Sequence, residues 1–555
     1  MKDVFKKNSG SFVTQAAILA AAGLFVRLLG FICRVPMTRS LLGDAGNSIY
    51  ASSYALYNLF FVISSAGMPA AVSKLIAERV SVGRHRDAHR VFKLSMLFGA
   101  GIGFVCMLVL FFGASAASDF VGNPRGLLSL QVLTPSILIV SIMSVYRGYI
   151  QGMGSTVPTA VSQIIEGVFN TVFSLLLAYM WMRFASADAD ILALGVAGAT
   201  AGTTISTAIG LIVMVGFYLL LRPRILQGIQ DAPVEKKPIA ARDLMRDIVS
   251  TVVPIIAGTA ILTISNLIDI AMVKNRLASV LVETGTEAVR MWSEYEVEAM
   301  NGILQGKVFT ITTLPVSIST ALATAVVPSI ATAAVKKRHG EVKQKINMSM
   351  RIAMIISFPC AMGIGVLADP ILRLLFGSVS DGGDVLQIGA VSIVFLALTQ
   401  IITGTLQGIG KVKIPMYGVL MGVVVKIIVN FFLLTVPSVN IKGAVIGTIA
   451  CYVVAGSFDW YMLVKYTGTK PDFMGIIIKP AVASLVMGMS VYIVYNVVQY
   501  IVPSNALATM LSIAAGVVVY FAVMLLAGGL KKEDILILPG GKRLAAAMTR
   551  RGLLA

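Results

Sequence analysis

The chain has 555 residues, of which 57% are hydrophobic and 13% charged, and its mean hydropathy is +0.87. This composition excludes an ordinary soluble domain and indicates a protein that lies mostly within a membrane. The net charge of +19 does not indicate nucleic-acid binding, because the basic residues fall in short loops between apolar runs, without interleaved stacking aromatics. The four cysteines lie inside apolar runs and form no close-spaced pair, which argues against a disulfide framework or a metal site.

Fourteen apolar runs are long enough to cross a bilayer as helices, so we predict an all-α integral membrane fold with about 14 transmembrane helices. The first run follows a charged N-terminus but is too long for a cleaved signal peptide, and we expect it to remain as the first span. The predicted spans are about 12–37, 49–77, 93–118, 126–150, 157–182, 191–221, 247–274, 302–334, 349–369, 384–407, 414–436, 441–464, 475–499 and 504–529.

The first span carries two arginines, Arg27 and Arg34. Arginine keeps its proton at any ordinary pH, and a permanent charge at membrane depth costs at least about 2.5–3.5 kcal/mol. A spacing of seven residues places both on one helix face, about 10 Å apart along the axis, together with Gly23 and Gly30. One hypothesis is a cationic stripe that faces a wet cavity and binds an anion, for which phosphate suits arginine best. The other is that carboxylates on neighbouring helices pair with both arginines and only hold the bundle together.

Lysine and arginine are concentrated at both termini and in almost every second loop, whereas the alternate loops hold few. The positive-inside rule therefore places both termini in the cytoplasm. The basic clusters fall at residues 2–7, 79–93, 222–246, 336–345, 411–413, 465–470 and 531–551.

Two long loops shape the predicted domain organisation. Residues 222–246 combine prolines with charges, as expected for a cytoplasmic linker between two groups of six spans. Residues 275–301 are acidic and lie outside in this topology, where they form either an amphipathic helix on the outer surface or a solvated loop without a role. The predicted domains are an N-lobe (1–221), the linker, a C-lobe (247–470), two C-terminal helices (471–530) and a basic cytoplasmic tail (531–555).

The two groups of six spans resemble each other. Span four ends in Gln151-Gly-Met-Gly154, with Pro158 opening the next span, and span ten ends in Gln407-Gly-Ile-Gly410, with Pro415 in the same place. Repeats with an even number of spans have the same orientation in the membrane. They are related by a pseudo-twofold axis along the membrane normal, and such folds bind the substrate between the halves.

Several motifs together resemble a known family: Arg27-Leu-Leu-Gly-Phe31, Ser64-Ser-Ala-Gly-Met-Pro69, the two Gln-Gly-x-Gly turns with their prolines, and Leu314-Pro315 followed by Val327-Pro328-Ser329. Their order resembles the polysaccharide-export branch of the multidrug/oligosaccharidyl-lipid/polysaccharide (MOP) exporter superfamily. Within that branch it is similar to the MurJ-like lipid II flippases and the stage V sporulation protein B relatives of Firmicutes.

The resemblance implies two six-helix lobes around a cationic central cavity, with two extra C-terminal helices that form a groove for a lipid tail. The implied cargo is undecaprenyl-pyrophosphate carrying the peptidoglycan precursor (lipid II), moved from the inner to the outer leaflet of a bacterial plasma membrane by alternating access. Many proteobacterial members have an Arg-Asp pair where this chain has Cys33-Arg34, so residue roles do not transfer directly from those members.

Further charged residues lie inside predicted spans. Arg147 and Lys307 are candidates for the same cationic cavity, and the alternative for both is snorkelling to the membrane interface. Lys307 begins a polar stripe with Thr310, Thr313 and Ser317, which is consistent with a wet surface.

The acids Glu166 and Asp269 also lie inside predicted spans. Glu166 and Asn170 share one face of span five, which we hypothesise to partner Arg27 or Arg34. Asp269 in span seven is expected to pair with Lys426 in span eleven, one turn from Asn430, because each charge is costly without a partner. Some members of the resembled family hold a sodium ion between these two spans, and here the Lys426 ammonium would occupy that space.

We therefore expect a transporter and not an enzyme: a flippase for lipid II, for another polyprenyl-linked sugar, or a multidrug/cation antiporter. A membrane glycosyltransferase is the alternative outside transport, and its weak candidate motif is Asp188-Ala-Asp190. No Walker motif is present, so we expect no ATP site and no cofactor, and coupling to an ion gradient or the membrane potential. The expected partners are the glycolipid, membrane lipids and the cell-wall synthesis machinery.

Overall fold

The computed structural model describes residues 12–187, 189–230, 239–279, 281–284, 288–335, 338–377, 381–411, 413–469 and 471–529. Helices occupy all fourteen predicted spans. The predicted basic tail, 531–555, and most of the proline-containing part of the linker, 231–238, lie outside the described residues.

By its internal contacts the chain divides into two compact units, Met1–Gly302 and Ile303–Ala555, called here the first and second units. The helices and strands of the first unit are α1 (Phe12–Pro36), α2 (Gly43–Phe61), α3 (Met68–Ser81), α4 (His85–Phe120), α5 (Leu127–Gly152), α6 (Val157–Arg183), α7 (Ile191–Gln230), α8 (Ala241–Leu277), β1 (Leu281–Thr284), β2 (Ala288–Met291) and α9 (Glu294–Gly302). Those of the second unit are α10 (Phe309–Val335), α11 (His339–Val366), α12 (Ala368–Phe376), α13 (Gly383–Gly408), α14 (Lys413–Leu433), α15 (Lys442–Thr467), α16 (Lys479–Ile501) and α17 (Asn505–Leu526).

Among the described residues, twelve segments are long and apolar enough to cross a membrane. One of them, Ala21–Ser81, covers the first two predicted spans without a loop, because π-helical turns at Met37–Leu42 and Val62–Ala66 join α1, α2 and α3. A proline near the start of α3, Pro69, is tolerated because the first helical turn lacks intrahelical N–H partners.

The boundary between the units differs from the predicted one, which fell in the 222–246 linker. Helix α8, the predicted first span of the C-lobe, groups with the first unit. An ion pair of 2.8 Å joins Arg79 of α3 to Asp247 of α8, and Gly67 approaches the Val252 backbone so closely that a Cβ would lie 3.0 Å from its carbonyl oxygen. These contacts join residues that are far apart in sequence. The composition of a loop does not predict such contacts, and the linker was predicted from composition alone.

The acidic loop contains a short hairpin followed by a helix, so the helix alternative holds for its last part only. The strands β1 and β2 form an antiparallel hairpin in which Leu281 pairs with Met291. Helix α9 then packs on α2: the Asn301 amide donates to the Ser48 hydroxyl at 2.8 Å, and Gly302 lies directly against the Asp44 carbonyl. Helix α9 therefore buries one face, through Glu298 and Asn301, and exposes the other, through Glu294 and Tyr295.

The predicted repeat is visible within each unit as the same close helix contact. In the first unit, a Cβ at Gly148 or Gly152 of α5 would lie 3.0 and 2.9 Å from the carbonyl oxygens of Pro69 and Ser73. In the second unit, a Cβ at Gly404 or Gly408 of α13 would lie 3.0 Å from a carbonyl oxygen of α10 in each case. Small residues at this spacing let helix backbones pack directly on each other.

Candidate functional site

The two arginines of α1 lie in the first unit and differ in their surroundings. Arg27 is exposed on the protein surface, whereas Arg34 is partly buried and its guanidinium carbon lies 4.7 Å from the ring centroid of Tyr50. A cation over an aromatic face is attracted by the ring quadrupole. The Nε atom of Arg34 is buried and has no hydrogen-bond partner. Neither arginine forms an ion pair with another described residue, so the hypothesis of bundle-holding carboxylates finds no support there.

Tyr50 begins an aromatic row along α2. The rings of Tyr50 and Tyr54 are stacked with centroids 5.6 Å apart, and Tyr57 follows at 5.4 Å from Tyr54. The spacing of four and then three residues places the three rings on one helix face. The Tyr50 side chain also interacts with Thr203 of α7. The row therefore combines aromatic faces with hydroxyl groups beside Arg34, and the sequence analysis did not single it out.

Arg147 has a partner that the sequence analysis assigned elsewhere. Its Nη2 lies 2.8 Å from Glu166 Oε2 and donates to the Ser162 hydroxyl at 2.8 Å. Ser162 and Glu166 are four residues apart on α6, so both face α5 at one level. This corrects the hypothesis that Glu166 partners a span-one arginine. Arg147 pairs with a carboxylate of its own unit through Nη2 and cross-links α5 to α6, while its buried Nε has no hydrogen-bond partner.

Asn170, on the same face of α6, connects this helix to α7. Its side-chain oxygen accepts from the Ser174 hydroxyl at 2.9 Å and from the Thr203 hydroxyl at 3.2 Å. The two helices approach closely because Gly202 faces the Ser174 backbone, where a side chain would have no room. The predicted polar face of span five therefore binds α5 and α7 rather than α1.

Lys307 lies in the second unit, in a π-helical turn at Ile303–Val308. Its side chain is 3% exposed and its ammonium lies 5.8 Å from the ring centroid of Phe376. The hydroxyls of Thr313 and Ser317 donate to carbonyls of their own helix at 2.7 and 2.8 Å. Lys307 is therefore buried beside an aromatic ring, whereas Thr313 of the predicted polar stripe is exposed. The place of Lys307 in a cationic cavity stays a prediction.

The remaining members of the predicted charge network are buried. Asp269 belongs to α8 of the first unit and is 2% exposed. Lys426 and Asn430 belong to α14 of the second unit and are 4% and 0% exposed. The pairing of Asp269 with Lys426 stays a prediction.

A charge cluster that the sequence analysis did not identify joins four segments of the first unit. Arg125 holds Asp190 in a bidentate pair, with N–O distances of 2.6 and 2.8 Å, and its Nη1 lies 2.8 Å from Glu298 Oε2. Lys274 approaches the other Glu298 oxygen at 3.8 Å. Arg125 holds the pKa of Asp190 below its usual value, while burial raises the pKa of Glu298 against the opposing effect of Lys274 and Arg125.

This cluster accounts for Asp190, the second aspartate of the Asp188-Ala-Asp190 motif. The Asp190 carboxylate binds Arg125 and also accepts from the Ala193 backbone N–H at 3.1 Å, as an N-terminal cap of α7 does. It is thus engaged by the protein itself and does not present a free metal–sugar ligand. Asp188 lies outside the described residues. The sequence could have predicted the capping role of Asp190, because it lies just before a helix. It could not have predicted that Arg125 is its partner.

The second unit contains an apolar groove of about 470 Å³. It lies between α11 and α13, with a single contribution, Ile477, from the turn that leads into α16. Gln387 is the polar exception among its lining residues, which include Phe358, Met362, Val394, Phe395 and Leu398. Its volume falls in the range of small-molecule and lipid pockets. The resemblance led us to expect a groove built by the two C-terminal helices, and this groove is built mainly by α11 and α13.

Comparison with known proteins assigns the family. The family model described as "Polysaccharide biosynthesis protein" matches residues 12–333, and the MatE model matches residues 294–432. Two curated relatives come from Bacillus subtilis (strain 168). The lipid II flippase MurJ is 24% identical over 506 residues, covering 89% of each chain, and stage V sporulation protein B is 26% identical over 542 residues, covering 95% of this chain and 98% of the relative.

Solved structures agree with the fold. A lipid II flippase MurJ in an inward closed conformation aligns with a TM-score of 0.65 at 13% identity, over 91% of this chain and 97% of that one. An inward-facing multidrug resistance MATE transporter aligns with a TM-score of 0.60 at 14% identity, over 79% and 98%. The predicted all-α membrane fold and the expectation of a transporter rather than an enzyme are confirmed. The chain therefore belongs to the polysaccharide biosynthesis protein family of the MOP exporter superfamily.

Proposed function

We propose that this protein is a flippase that carries undecaprenyl-pyrophosphate-linked peptidoglycan precursor, lipid II, from the inner to the outer leaflet by alternating access. The observation that carries the proposal is Arg34, a permanent cation in a membrane helix that has an unsatisfied Nε and no ion-pair partner among the described residues. A cation kept at membrane depth without a carboxylate is expected to serve a ligand.

A pyrophosphate fits this arginine chemically. The planar guanidinium presents N–H groups in a fork that matches two phosphate oxygens. The Tyr50 ring supports the face of the guanidinium and leaves its edge available for hydrogen bonds. Arg27, exposed on the same helix, adds a second positive charge to this surface.

The apolar groove of the second unit supports the lipid part of the cargo. Aliphatic and aromatic side chains of α11 and α13 line it, so it favours a hydrocarbon chain over a polar ligand. One of the relatives named above is a lipid II flippase, which supports a glycolipid cargo. In this proposal the protein lies in a bacterial plasma membrane, has both termini in the cytoplasm and serves the cell-wall synthesis machinery.

The experiment is depletion of the protein in its host, with the accessibility of lipid II in the outer leaflet as the readout. Arg34→Ala is expected to abolish complementation at normal expression, because the pyrophosphate loses its cation. Arg34→Lys should restore part of the function, since an ammonium keeps the charge but loses the fork. Arg39→Ala, a change of an exposed arginine in the π-helical turn that follows α1, is the control. Full complementation by both Arg27→Ala and Arg34→Ala would contradict the proposal.

The MatE match over residues 294–432 favours a second candidate, multidrug/cation antiport. A cationic drug would be repelled by Arg34, so Arg34→Ala should then preserve or raise export. Drug accumulation in cells that express the wild-type and Arg34→Ala proteins separates the two functions. An antiporter lowers the accumulated drug, and Arg34→Ala keeps or strengthens that effect, whereas a flippase leaves drug accumulation unchanged with either protein.

A further inference from the structure

One buried carboxyl group of the second unit has no role in the site described above. Asp459 lies in the second half of α15 and is 0% exposed. Its Oδ2 receives a single long hydrogen bond of 3.5 Å from the Thr403 hydroxyl of α13, and its Oδ1 is buried without any hydrogen-bond partner. No described lysine or arginine forms an ion pair with it.

The packing around Asp459 leaves no space for a hydration shell. Helix α14 meets the carboxyl with its backbone at Gly418, where a Cβ would lie 2.5 Å from Oδ1. An ionised carboxylate without a partner is too costly in such surroundings, and a group of this kind becomes neutral instead. A neutral carboxyl has an O–H that needs one acceptor and tolerates apolar neighbours far better.

The charged residues of the neighbouring helices do not lie beside the Asp459 carboxyl. Helices α13 and α14 pack against α15, and from them Thr403 and Gly418 face the carboxyl. The charged residues of the three helices are Asp384, Lys413, Lys426, Lys442 and Lys465.

Each of these charged residues pairs with another residue, lies far from Asp459 along its helix or is exposed. Asp384 and Lys442 pair at 2.7 Å with each other. Lys426 lies eight residues beyond Gly418 on α14, about 12 Å along the helix axis. Lys413 and Lys465 are exposed. Lys411, in the turn before α14, lies over the ring of Tyr466, seven residues further along α15. The groups that meet the Asp459 carboxyl are therefore a hydroxyl and a glycine.

The geometry points to Asp459 as a proton-binding site of the second unit, occupied when α13, α14 and α15 are packed as in this structure. Protonation takes one H⁺ from water onto the carboxylate and forms one O–H bond. Release of that proton leaves a charge that must draw water between α14 and α15, so the charge state of Asp459 is linked to the packing of the three helices. This inference is independent of which cargo the protein carries.

A metal ion fits the same place poorly. Hard cations are bound by about six oxygen ligands, whereas one carboxyl and one hydroxyl are the side-chain oxygens found here. Within the described part of the chain, no three His, Cys, Asp or Glu side chains come together as a metal site. A single proton needs no such set of ligands.

The first test is infrared spectroscopy of the full-length protein in lipid nanodiscs, titrated between about pH 5 and pH 8, a range in which ordinary aspartates stay ionised. Wild type should show the C=O band of a protonated carboxylic acid at acidic pH, and Asp459→Asn should lose one such group per chain. Asp381→Asn, which changes an exposed aspartate of the same unit, should leave the band unchanged. Identical bands in wild type and Asp459→Asn would overturn the inference.

A second variant keeps the carboxyl of Asp459, so it tests the inference even if Asp459→Asn fails to fold. Thr403→Val removes the hydroxyl that donates to Asp459, so the C=O band should persist but shift in frequency. An unshifted band would overturn the inference, because the protonated group would then be elsewhere. Replacing sodium by potassium at fixed pH should not move the titration. A titration that moves with sodium would mean that the site binds sodium rather than a proton, which also overturns the inference.

Thermal stability gives an independent readout. If folding keeps a proton on Asp459 that the unfolded chain releases, stability must fall as pH rises between the two titrations. The apparent Tm of wild type should drop by several degrees over this range, while Asp459→Asn should lack that part of the slope. Parallel pH profiles of the two proteins would contradict the inference.

Discussion

Glu166 of the first unit is partly buried and Asp459 of the second unit is buried, and the two carboxyls differ in whether a cation lies beside them. Glu166 faces Arg147 of α5 across 2.8 Å, with Thr207 as a further donor at 3.5 Å. Asp459 faces Thr403 of α13, and no cation meets it among the described residues. Arg147 and Thr403 both lie four residues before the glutamine of a Gln-Gly-x-Gly turn, so they occupy equivalent places in the repeat.

The carboxyls themselves lie on non-equivalent helices, Glu166 on α6 and Asp459 on α15, and they differ in the residue of the repeated position that faces them, an arginine or a threonine. Arg147 forms a close ion pair with Glu166 and so fixes α5 to α6. A threonine supplies only one weak hydrogen bond and leaves the group free to take a proton. The first unit therefore uses the position for a fixed cross-link, and we infer that the second uses it for a titrating group.

The largest expected effect comes from breaking the fixed pair. Arg147→Ala strands Glu166 between α5 and α6, and removal of one partner of a buried pair costs roughly 3–5 kcal/mol of unfolding free energy. The partial exposure of Glu166, 24%, places the loss toward the lower end. Replacing both partners, as Arg147→Met with Glu166→Gln, should recover part of the loss.

Thermal denaturation of the purified protein measures the effect, with Arg183→Ala, an exposed arginine at the end of α6, as the matched control. If the double variant is as unstable as the sum of the two single variants, the two side chains do not act as a pair.

A smaller change in stability is expected when Thr403 of the second unit is replaced by arginine, the residue at the equivalent position of the first unit. Thr403→Arg should pair with Asp459, hold it ionised and remove its part of the pH dependence of stability. In the Asp459→Asn background the same arginine has no partner, so its penalty should exceed that in wild type by about 0.5–3 kcal/mol. Thermal denaturation at several pH values measures both quantities. An equal penalty in both backgrounds would show that the new arginine does not reach the carboxyl.

The smallest effect is expected at an ion pair near the surface, between Arg125 and Asp190. The lowered pKa of Asp190 means that its stabilising contribution is present above the unfolded value of about 4 and is lost as pH falls. Asp190→Asn keeps the helix cap and removes the charge, so it should cost about 0.2–1 kcal/mol at neutral pH and less in acid. Asp119→Asn, an exposed acid of the same unit, is the control in pH-dependent denaturation. A cost that does not decrease in acid would contradict the role of the charge.

The helices and the family of this protein were determined by local features of its sequence. Apolar runs of sufficient length must form helices in a bilayer, because only then are the backbone groups hydrogen-bonded. The Gln-Gly-x-Gly turns marked the repeat, and the first glycine of each turn, Gly152 or Gly408, does pack on a neighbouring helix backbone. Such patterns are readable because they depend on residues a few positions apart.

The partners of the charged side chains were decided only by the tertiary structure. Glu166 was assigned to an arginine of α1 but pairs with Arg147, and Glu298 joins Arg125 from 173 residues away. Asp459 did not stand out in the sequence, since it lies six residues from the exposed Lys465 near a helix end. Gly418 and Thr403 bury it, and only helix packing brings those two residues to it. The physical reason is that the cost of a charge depends on what surrounds it in space, which composition and spacing along one helix do not specify.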